Sequence, residues 1–257
     1  MSDMRNKGPE LWVITGASGG IGAALASRLM REYPASHFVL HACAHAEKLA
    51  ELKAEAEAIE GRTGQVMTVT ADLTKPAEIR MLFRVADTLG TVDRLVYAAG
   101  VSTPKLIQDY SDDEIGETVA LNLTGAMLAA REAVKRMVRE HRGKILLFSS
   151  VWGNVGAAGE TVYSATKAGV NGFVKALARE VAYCDIQVNA LAPGAVDTPM
   201  LRNELSDEDL RKLIADLPSG RLATAEEIAD IAAFILGSDA DYFTGQVFTP
   251  DGGLAML

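Results

Sequence analysis

The chain has 257 residues, of which 49% are hydrophobic and 23% are charged, which suits one large α/β domain over residues 1–257 and excludes wholesale disorder. Its formal net charge of −9, without a long Lys/Arg run, argues against nucleic acid or an anionic membrane as a partner. Residues 1–10 are polar and lack an apolar stretch of signal-peptide length, so we expect no secretory leader, and no apolar run reaches the roughly 18 residues of a membrane span. Because Cys43 and Cys184 form no disulfide framework, we expect a cytoplasmic location.

Short apolar runs alternate with longer amphipathic runs along the chain. In chain order, we predict strand 11–15, helix 20–31, strand 37–42, helix 46–60, strand 65–70, helix 76–89, strand 94–98, helix 112–140, strand 144–149, helix 162–182, strand 186–190, a helical excursion 200–216, helix 225–236 and strand 246–249. The strands are short, continuous and rich in Val, Ile and Leu, which is typical of parallel strands covered on both faces. This α/β alternation predicts a doubly wound parallel sheet of about seven strands, with its ligand beyond their carboxyl ends.

The first predicted strand leads into a glycine-rich turn at the start of a helix. Its sequence is Thr15-Gly16-Ala17-Ser18-Gly19-Gly20-Ile21-Gly22. Glycines in this position allow a tight turn, close approach of the backbone to a pyrophosphate, and close packing of helix on strand. The helix amino terminus adds free N–H groups and a partial positive charge for the phosphates. We therefore predict a dinucleotide site with contacts from Gly16, Ser18, Gly20, Ile21 and Gly22.

Tyr163 and Lys167 lie four residues apart near the start of helix 162–182, which places both on one helix face. A tyrosine ordinarily titrates at about pH 10, and a nearby ammonium would favour the phenolate and lower that pKa. Such a phenol can donate a proton to a nascent alkoxide or accept one from an alcohol. Alone, this spacing is common and more often marks a surface tyrosine beside a lysine.

Two further residues give the pair a context. Ser150 follows the preceding apolar strand, 13 residues before Tyr163, and Asn122 lies within predicted helix 112–140 although asparagine is a poor helix former. With the T-G-x-x-x-G-x-G turn, these motifs make residues 11–257 resemble the short-chain dehydrogenases/reductases. The resemblance implies a Rossmann-like fold and the catalytic set Asn122, Ser150, Tyr163 and Lys167. In it, Ser150 binds the substrate carbonyl oxygen, and Asn122 holds a water that links the lysine to solvent.

The resemblance also implies a nicotinamide cofactor and the residues that contact it. Besides the glycine-rich turn, these are Asp72 and Leu73 beside the adenine, Ala98, Ala99 and Gly100 on the ribose side, Pro193, Gly194, Val196 and Thr198 near the nicotinamide and diphosphate, and Tyr163 and Lys167. No grouping of His, Cys, Asp or Glu has metal-ligand spacing, so we expect no metal.

The chain departs from the family pattern at the end of its fourth strand. The family usually has Asn-Asn-Ala-Gly there, whereas this chain has Tyr97-Ala98-Ala99-Gly100. The lost asparagine amide normally braces neighbouring backbone. We therefore expect an effect on local rigidity more than on chemistry.

The end of the second strand bears on the choice of cofactor. An Asp or Glu there would bind the ribose hydroxyls of NAD, and an Arg just after it would favour the phosphate of NADP. Cys43 and Ala44 occupy these positions, so neither signature is present. The missing carboxylate removes a repulsion against a 2′-phosphate, and His41, His45 and Lys48 are candidates to bind one. We therefore favour NADP(H) over NAD(H).

Within the family, three segments look like those of 3-oxoacyl-[acyl-carrier-protein] reductases: 177–180, 220–222 and 244–246. This implies an acyl-thioester carbonyl substrate on an acidic carrier protein, which a basic patch would dock. Such a patch could be formed by Arg139, Arg142, Lys144 and Arg179, which could equally be a solvated face. Run 149–156 also looks like reductases of 5-aminopentanone-modified elongation factor P, and a small-molecule ketone, sugar or steroid dehydrogenase stays open.

Substrate choice should lie in segment 152–160 and in the lid-like excursion 200–216, whose acidic residues Glu204, Asp207, Glu208 and Asp209 we expect to form a solvated face. Relatives are commonly homotetramers, which is the assembly that the resemblance implies. A non-catalytic, cofactor-sensing regulator is the alternative of a different class, although mere binding would need no acid such as Tyr163. A nucleic-acid binder on a similar fold is disfavoured by the net charge.

Overall fold

A computed structural model describes residues 9–255 and contains a sheet of seven parallel strands. The strands are β1 (Leu11–Thr15), β2 (His37–Ala42), β3 (Val66–Thr70), β4 (Val92–Tyr97), β5 (Gly143–Phe148), β6 (Ile186–Leu191) and β7 (Val247–Phe248). Their order is β3-β2-β1-β4-β5-β6-β7, and every neighbouring pair is parallel. The predicted doubly wound parallel sheet is confirmed.

Helices follow the strands and cover both faces of the sheet. They are α1 (Gly20–Glu32), α2 (Ala46–Glu57), α3 (Pro76–Ala86), α4 (Asp112–Val119), α5 (Ala126–Glu140), α6 (Trp152–Val155), α7 (Thr161–Val181), α8 (Pro199–Glu204), α9 (Asp207–Asp216) and α10 (Ala225–Leu236). None of the helices in residues 9–255 is long and apolar enough to cross a membrane.

The core lies in two layers, one on each face of the sheet. Consecutive side chains of a strand point to opposite faces. Thus Leu11 and Val13 of β1 belong to the layer under α3, α5 and α7, whereas Trp12 and Ile14 belong to the layer under α1, α2 and α10. Because both faces are covered, β1 is apolar at four consecutive positions and needs no polar alternation.

The structure differs from the predicted elements in three places. Predicted helix 112–140 is two helices, α4 and α5, joined by a π-helical turn at Ala120–Gly125, hereafter the π turn. The excursion 200–216 divides into α8 and α9, because the backbone becomes extended at Leu205, where α8 ends, and Ser206 caps the start of α9. Helix α6 was not predicted, since four residues are too short for a periodic signal. Other element ends shift by a few residues, as expected where helices fray.

Candidate active site

The sheet order places the candidate site between β1 and β4. From β1 the chain moves outward through β2 and β3, and then returns to β4 on the other side of β1. Ligands of doubly wound sheets bind at such a reversal, beyond the carboxyl ends of the strands. The segments that follow β1, β4, β5 and β6 therefore define one edge of the sheet, and all predicted catalytic residues except Asn122 come from segments near this edge.

The glycine-rich turn depends on missing side chains. Gly16 has φ +68°, and a Cβ there would lie 2.6 Å from the Ala99 nitrogen. A Cβ on Gly22 would lie 2.2 Å from the Gly16 oxygen, so α1 packs directly on the turn. No side chain caps the amino terminus of α1, and its first turn holds no acidic residue. The free N–H groups and the helix dipole fit a phosphate, which is the predicted role.

The segment after β6 meets this turn. A Cβ on Gly20 would lie 2.9 Å from Thr198 Cγ2, so these two predicted cofactor residues are neighbours. The Thr198 hydroxyl accepts a hydrogen bond from the Leu201 nitrogen and begins α8. Pro193 is buried and accepts a bond from Val151, Val196 is buried, and Gly194 packs on the Asp251 backbone.

Residues after β3 and β4 complete the predicted cofactor cleft. The Asp72 carboxylate accepts hydrogen bonds from the Thr74 hydroxyl (2.7 Å) and nitrogen (3.0 Å), which lower its pKa. Leu73 is buried behind it. The Ala98 nitrogen donates to the Thr15 carbonyl oxygen (3.3 Å), which keeps the segment after β4 beside the glycine-rich turn. Ser18, Ile21, Ala98, Ala99 and Gly100 are all partly exposed.

Tyr163 and Lys167 lie together on the first turns of α7. The Lys167 ammonium stands over the Tyr163 ring, 5.3 Å from its centroid, and donates a hydrogen bond to the Phe148 carbonyl oxygen (2.9 Å). The buried Ser150 accepts a hydrogen bond at its hydroxyl from the Trp152 nitrogen (3.2 Å). The neighbouring Ser149 donates a hydrogen bond from its hydroxyl to the Lys167 carbonyl oxygen instead (3.1 Å).

The expected lowering of the Tyr163 pKa does not occur in this structure. Burial raises the pKa of Tyr163 above its usual value, Glu160 and Glu204 raise it further, and only the Ser150 hydroxyl opposes them. Lys167 does not offset burial, because its ammonium lies over the ring face and is bonded to Phe148. Burial lowers the pKa of Lys167 to about 8, so the lysine is still mainly charged at neutral pH.

Asn122 lies in the π turn and reaches the site through the backbone after β4. Its side-chain oxygen accepts from the Val101 nitrogen (2.9 Å), and its amide donates to the Val101 oxygen (2.8 Å). A Cβ on Gly100 would lie 3.2 Å from Asn122 Oδ1 and 3.5 Å from Lys167 Nζ. Asn122, Ser150, Tyr163 and Lys167 are thus brought to one edge of the sheet, beside the predicted cofactor residues.

Sequence reasoning missed two carboxylates near the phenol. Glu160 precedes α7, and both of its oxygens accept from the Ser102 hydroxyl (3.1 and 2.9 Å). Burial and the charge of Glu160 raise the pKa of Glu204 to about 7. The prediction that Glu204 belongs to a solvated face is therefore wrong, although Asp207, Glu208 and Asp209 are exposed. Glu160 could have been found from its place three residues before Tyr163, whereas the approach of Glu204 depends on how α8 folds back.

The side chains predicted to bind a 2′-phosphate interact with other residues of the chain instead. His41 is buried, its Nε2 is 2.8 Å from the Ala71 carbonyl oxygen, and burial lowers its pKa, so its proposed role as a phosphate ligand is wrong. Its Nδ1 instead faces the Gly16 nitrogen at 3.4 Å. His45 pairs with Glu47 and Lys48 pairs with Glu51, while Cys43 and Ala44 are exposed.

The proposed basic docking patch is not supported. Lys144 is 3% exposed and pairs with Asp241, and Arg142 pairs with the buried Asp93. Both lie at the start of β5, at the edge of the sheet opposite the candidate site. Only Arg139 and Arg179 are exposed. Among residues 9–255, no group of three or more His, Cys, Asp or Glu residues is arranged to hold a metal ion.

Comparisons with known proteins identify the family of the chain. Residues 10–209 match the family model described as short chain dehydrogenase. An uncharacterized oxidoreductase, YmfI, of Bacillus subtilis (strain 168) is 36% identical over 242 residues, which cover 94% of this chain and 97% of the relative. The 3-oxoacyl-[acyl-carrier-protein] reductase FabG of Salmonella typhimurium (strain LT2) is 36% identical over 246 residues, or 95% of this chain and 97% of FabG.

A solved structure shows the same architecture. A double mutant of a Serratia marcescens short-chain dehydrogenase/reductase superimposes with a TM-score of 0.87 at 29% identity, covering 96% of this chain and 98% of that one. The chain belongs to the short-chain dehydrogenases/reductases and is an oxidoreductase of that family.

Proposed function

We propose that the chain uses NAD(P)(H) to interconvert a carbonyl and a secondary alcohol, with Tyr163 as the general acid and base. The observation that carries this proposal is the gathering of Tyr163, Ser150 and Lys167 beside the glycine-rich turn. Gly16 packs on Ala99, and Gly100 lies beside Lys167, so the glycine-rich turn and the Tyr163–Lys167 pair flank the same segment after β4. A regulator that only senses a cofactor would not need this acid.

Each residue of the site has a role that follows from its chemistry. A bound nicotinamide cofactor would supply the hydride for reduction and accept it for oxidation. Burial keeps Tyr163 protonated, which suits a proton donor to the alkoxide formed during reduction. Ser150 holds the carbonyl oxygen by hydrogen bonding, Lys167 places its ammonium over the ring that becomes negative only after the proton has been transferred, and Asn122 supports the path that resupplies the proton. The proposed cofactor contacts are Gly16, Ser18, Gly20, Ile21, Gly22, Asp72, Leu73, Ala98, Ala99, Gly100, Tyr163, Lys167, Pro193, Gly194, Val196 and Thr198.

We favour NADP(H) as the cofactor. Cys43 and Ala44 are exposed where an NAD enzyme would present a carboxylate to the ribose hydroxyls, so a 2′-phosphate meets no repulsion there. The preference rests on this absent repulsion, because His41 is buried and Lys48 is paired.

We propose a 3-oxoacyl thioester carried by an acyl carrier protein as the substrate class. The matches to proteins named 3-oxoacyl-[acyl-carrier-protein] reductase over nearly the whole chain support it.

We further propose that residues 1–257 form one domain that assembles as a homotetramer, as resemblance to the family implies. The free state of Cys43 and Cys184 supports a cytoplasmic location.

The carboxylates Glu160 and Glu204 favour a second candidate substrate. Both lie close enough to raise the pKa of Tyr163, so their charge acts on the atoms where a carbonyl would bind. Negative charge in a binding site favours a ligand of positive charge. An amino ketone, such as 5-aminopentanone-modified elongation factor P, would meet this requirement, whereas a neutral thioester would not use it.

The first experiment tests the chemistry with acetoacetyl-coenzyme A as the probe, followed by absorbance of the reduced cofactor. We expect Tyr163→Phe to lower turnover by about 100-fold or more while changing the cofactor dissociation constant by less than about twofold. Tyr183→Phe is the matched control, because Tyr183 is 79% exposed and lies just beyond the far end of α7. Near-normal turnover by Tyr163→Phe would refute the assigned acid. Cofactor binding by the wild type without turnover of any ketone or alcohol would favour a cofactor-sensing regulator.

The second experiment separates the two substrate classes. We expect kcat/KM to be higher for acetoacetyl-coenzyme A than for 5-aminopentan-2-one if the thioester assignment holds. If the amino ketone is preferred, Glu160→Gln should remove that preference, because it removes the opposite charge. Glu208→Gln is the control, since Glu208 is exposed on α9. A preference for the amino ketone that Glu160→Gln leaves unchanged would refute the role of this carboxylate.

A further inference from the structure

Tyr97 occupies the position at which the chain departs from the family pattern. It is the last residue of β4, is 2% exposed, and donates a hydrogen bond to the Leu121 carbonyl oxygen (2.8 Å). Burial raises the pKa of its phenol, so the hydroxyl remains a hydrogen-bond donor. Because Tyr97 is enclosed, it does not contact a ligand in the cleft. Any effect of Tyr97 on the site is therefore indirect and acts through its hydrogen bond to Leu121.

The acceptor of this bond lies in the π turn. A π turn interrupts the regular hydrogen-bond ladder of a helix, and buried carbonyl groups need partners. A Cβ on Gly125 would lie 2.5 Å from the Tyr97 hydroxyl oxygen, so a side chain at position 125 would push the phenol away. The absence of a side chain on Gly125 in the π turn therefore leaves room for the Tyr97 hydroxyl at the end of β4.

The residue next to Leu121 is Asn122, whose amide grips both backbone groups of Val101. The same amide lies 3.4 Å from Thr166 Oγ1, and Thr166 donates to the Tyr163 carbonyl oxygen (2.7 Å). Gly100, just before Val101, packs between Asn122 and Lys167. A shift of the π turn would therefore move the backbone beside Lys167 and the turn of α7 that carries Tyr163.

We propose that Tyr97 is a positioning residue of the candidate active site. Its hydroxyl fixes the π turn, so that Asn122 holds Val101 and Gly100 in place beside Lys167. This role replaces the bracing amide that the family pattern would place at this position. The assignment of Tyr97 to an active site rests on the function proposed above. Its effect on Val101, which it exerts through Leu121 and Asn122, does not depend on that function.

The test is Tyr97→Phe, which removes the hydroxyl and keeps the ring. We expect amide hydrogen exchange at Val101 to accelerate about tenfold, because the grip of Asn122 loosens. With acetoacetyl-coenzyme A and NADPH, kcat should fall about tenfold, while KM and the NADPH dissociation constant stay within about twofold. The alkaline limb of the pH profile should shift, because the surroundings of Lys167 change. Tyr33→Phe is the control, since Tyr33 is a half-buried tyrosine at the end of α1 and should change none of these readouts.

Two outcomes would overturn the proposal. Unchanged Val101 exchange in Tyr97→Phe would show that the hydroxyl does not hold the π turn. A lower melting temperature with an unchanged kcat and pH profile would show a purely structural role. If Tyr97→Phe does not fold, Tyr97→Asn restores the amide of the family pattern and is measured in the same way. A wild type that reduces no carbonyl would refute the proposed function, while the exchange at Val101 would still decide whether Tyr97 holds the π turn.

Discussion

The pKa values of Tyr163 and Lys167 move in opposite directions for the same reason. Burial penalises the charged form of each, so it raises the pKa of the phenol and lowers that of the ammonium. Near neutral pH both groups therefore carry their protons. This state suits reduction, in which Tyr163 gives its proton away, and it disfavours the phenolate that alcohol oxidation requires.

A pH profile of carbonyl reduction tests this arrangement. We expect kcat/KM, which reports groups of the free enzyme, to fall as the pH rises above about 8. The sign follows from the depressed pKa of Lys167, whose ammonium is present below about 8 and is lost as the pH rises through that value. The measurement is initial rate at low substrate concentration across the pH range.

Lys167→Arg is the comparison, because a guanidinium stays protonated throughout this range. Its rate should be lower, since the longer group cannot repeat the bond to Phe148, but it should lack the alkaline decline. A wild-type plateau that continued to about pH 10, where an unperturbed lysine titrates, would contradict the depressed pKa.

Spacing along the chain proposes residues for the site, but it does not predict their surroundings. The intervals from Ser150 to Tyr163 and on to Lys167 are local, so the sequence alone is enough to propose these residues. The environments of His41 and Glu204 depend on distant segments: His41 bonds the Ala71 carbonyl oxygen just after β3, and the fold of α8 half-buries Glu204. Burial of this kind comes from tertiary packing, which periodicity within one element does not report.

Among the elements, α1 contains a glycine whose replacement by alanine should destabilise the helix rather than stabilise it. Gly22 lies inside this helix, where replacing glycine by alanine would ordinarily stabilise by about 1 kcal/mol. Here a Cβ would lie 2.2 Å from the Gly16 carbonyl oxygen, so Gly22→Ala must push the helix away from the glycine-rich turn. We expect a lower free energy of unfolding. We also expect the cofactor dissociation constant to rise by about tenfold or more, because the N–H groups at the amino terminus of a displaced α1 would no longer point at the phosphates.

Gly116→Ala in α4 is the matched substitution, since a Cβ there meets nothing within 4 Å. It should stabilise the chain slightly and leave cofactor affinity unchanged. Urea unfolding and titration with NADPH measure both quantities for both variants. If the two substitutions changed stability in the same direction, the backbone contact between Gly22 and Gly16 would not limit the packing of α1.

The interruption between α4 and α5 marks the limit of periodicity at the level of elements. The hydrophobic pattern continues through residues 112–140, so it predicts one helix. The local signals were Asn122 and Gly125, which are both poor helix formers, yet neither specifies a π turn. What favours that turn is its partner in β4, because the Tyr97 hydroxyl bonds the Leu121 carbonyl oxygen. The contact joins positions 24 residues apart, beyond the reach of a helix-length window.

Over the whole molecule, the charge bears on how a carrier protein would approach. The net charge is −9, and carboxylates Glu160 and Glu204 lie at the site. Acyl carrier proteins are acidic, and of the four basic residues considered for docking, Lys144 and Arg142 are held in ion pairs at the opposite edge of the sheet. The long-range field should therefore slow the encounter with an acidic carrier rather than steer it.

Salt dependence provides the measurement. Since salt screens repulsion between exposed charges, we expect kcat/KM for an acetoacetyl carrier protein to rise by about two- to tenfold between low and physiological ionic strength. Acetoacetyl-N-acetylcysteamine, an uncharged thioester, is the control and should respond little. A fall in kcat/KM with salt for the carrier-bound substrate would instead show net attraction and a basic docking surface. In that case Arg139 and Arg179, the two exposed residues of the four, would be the first to replace by alanine.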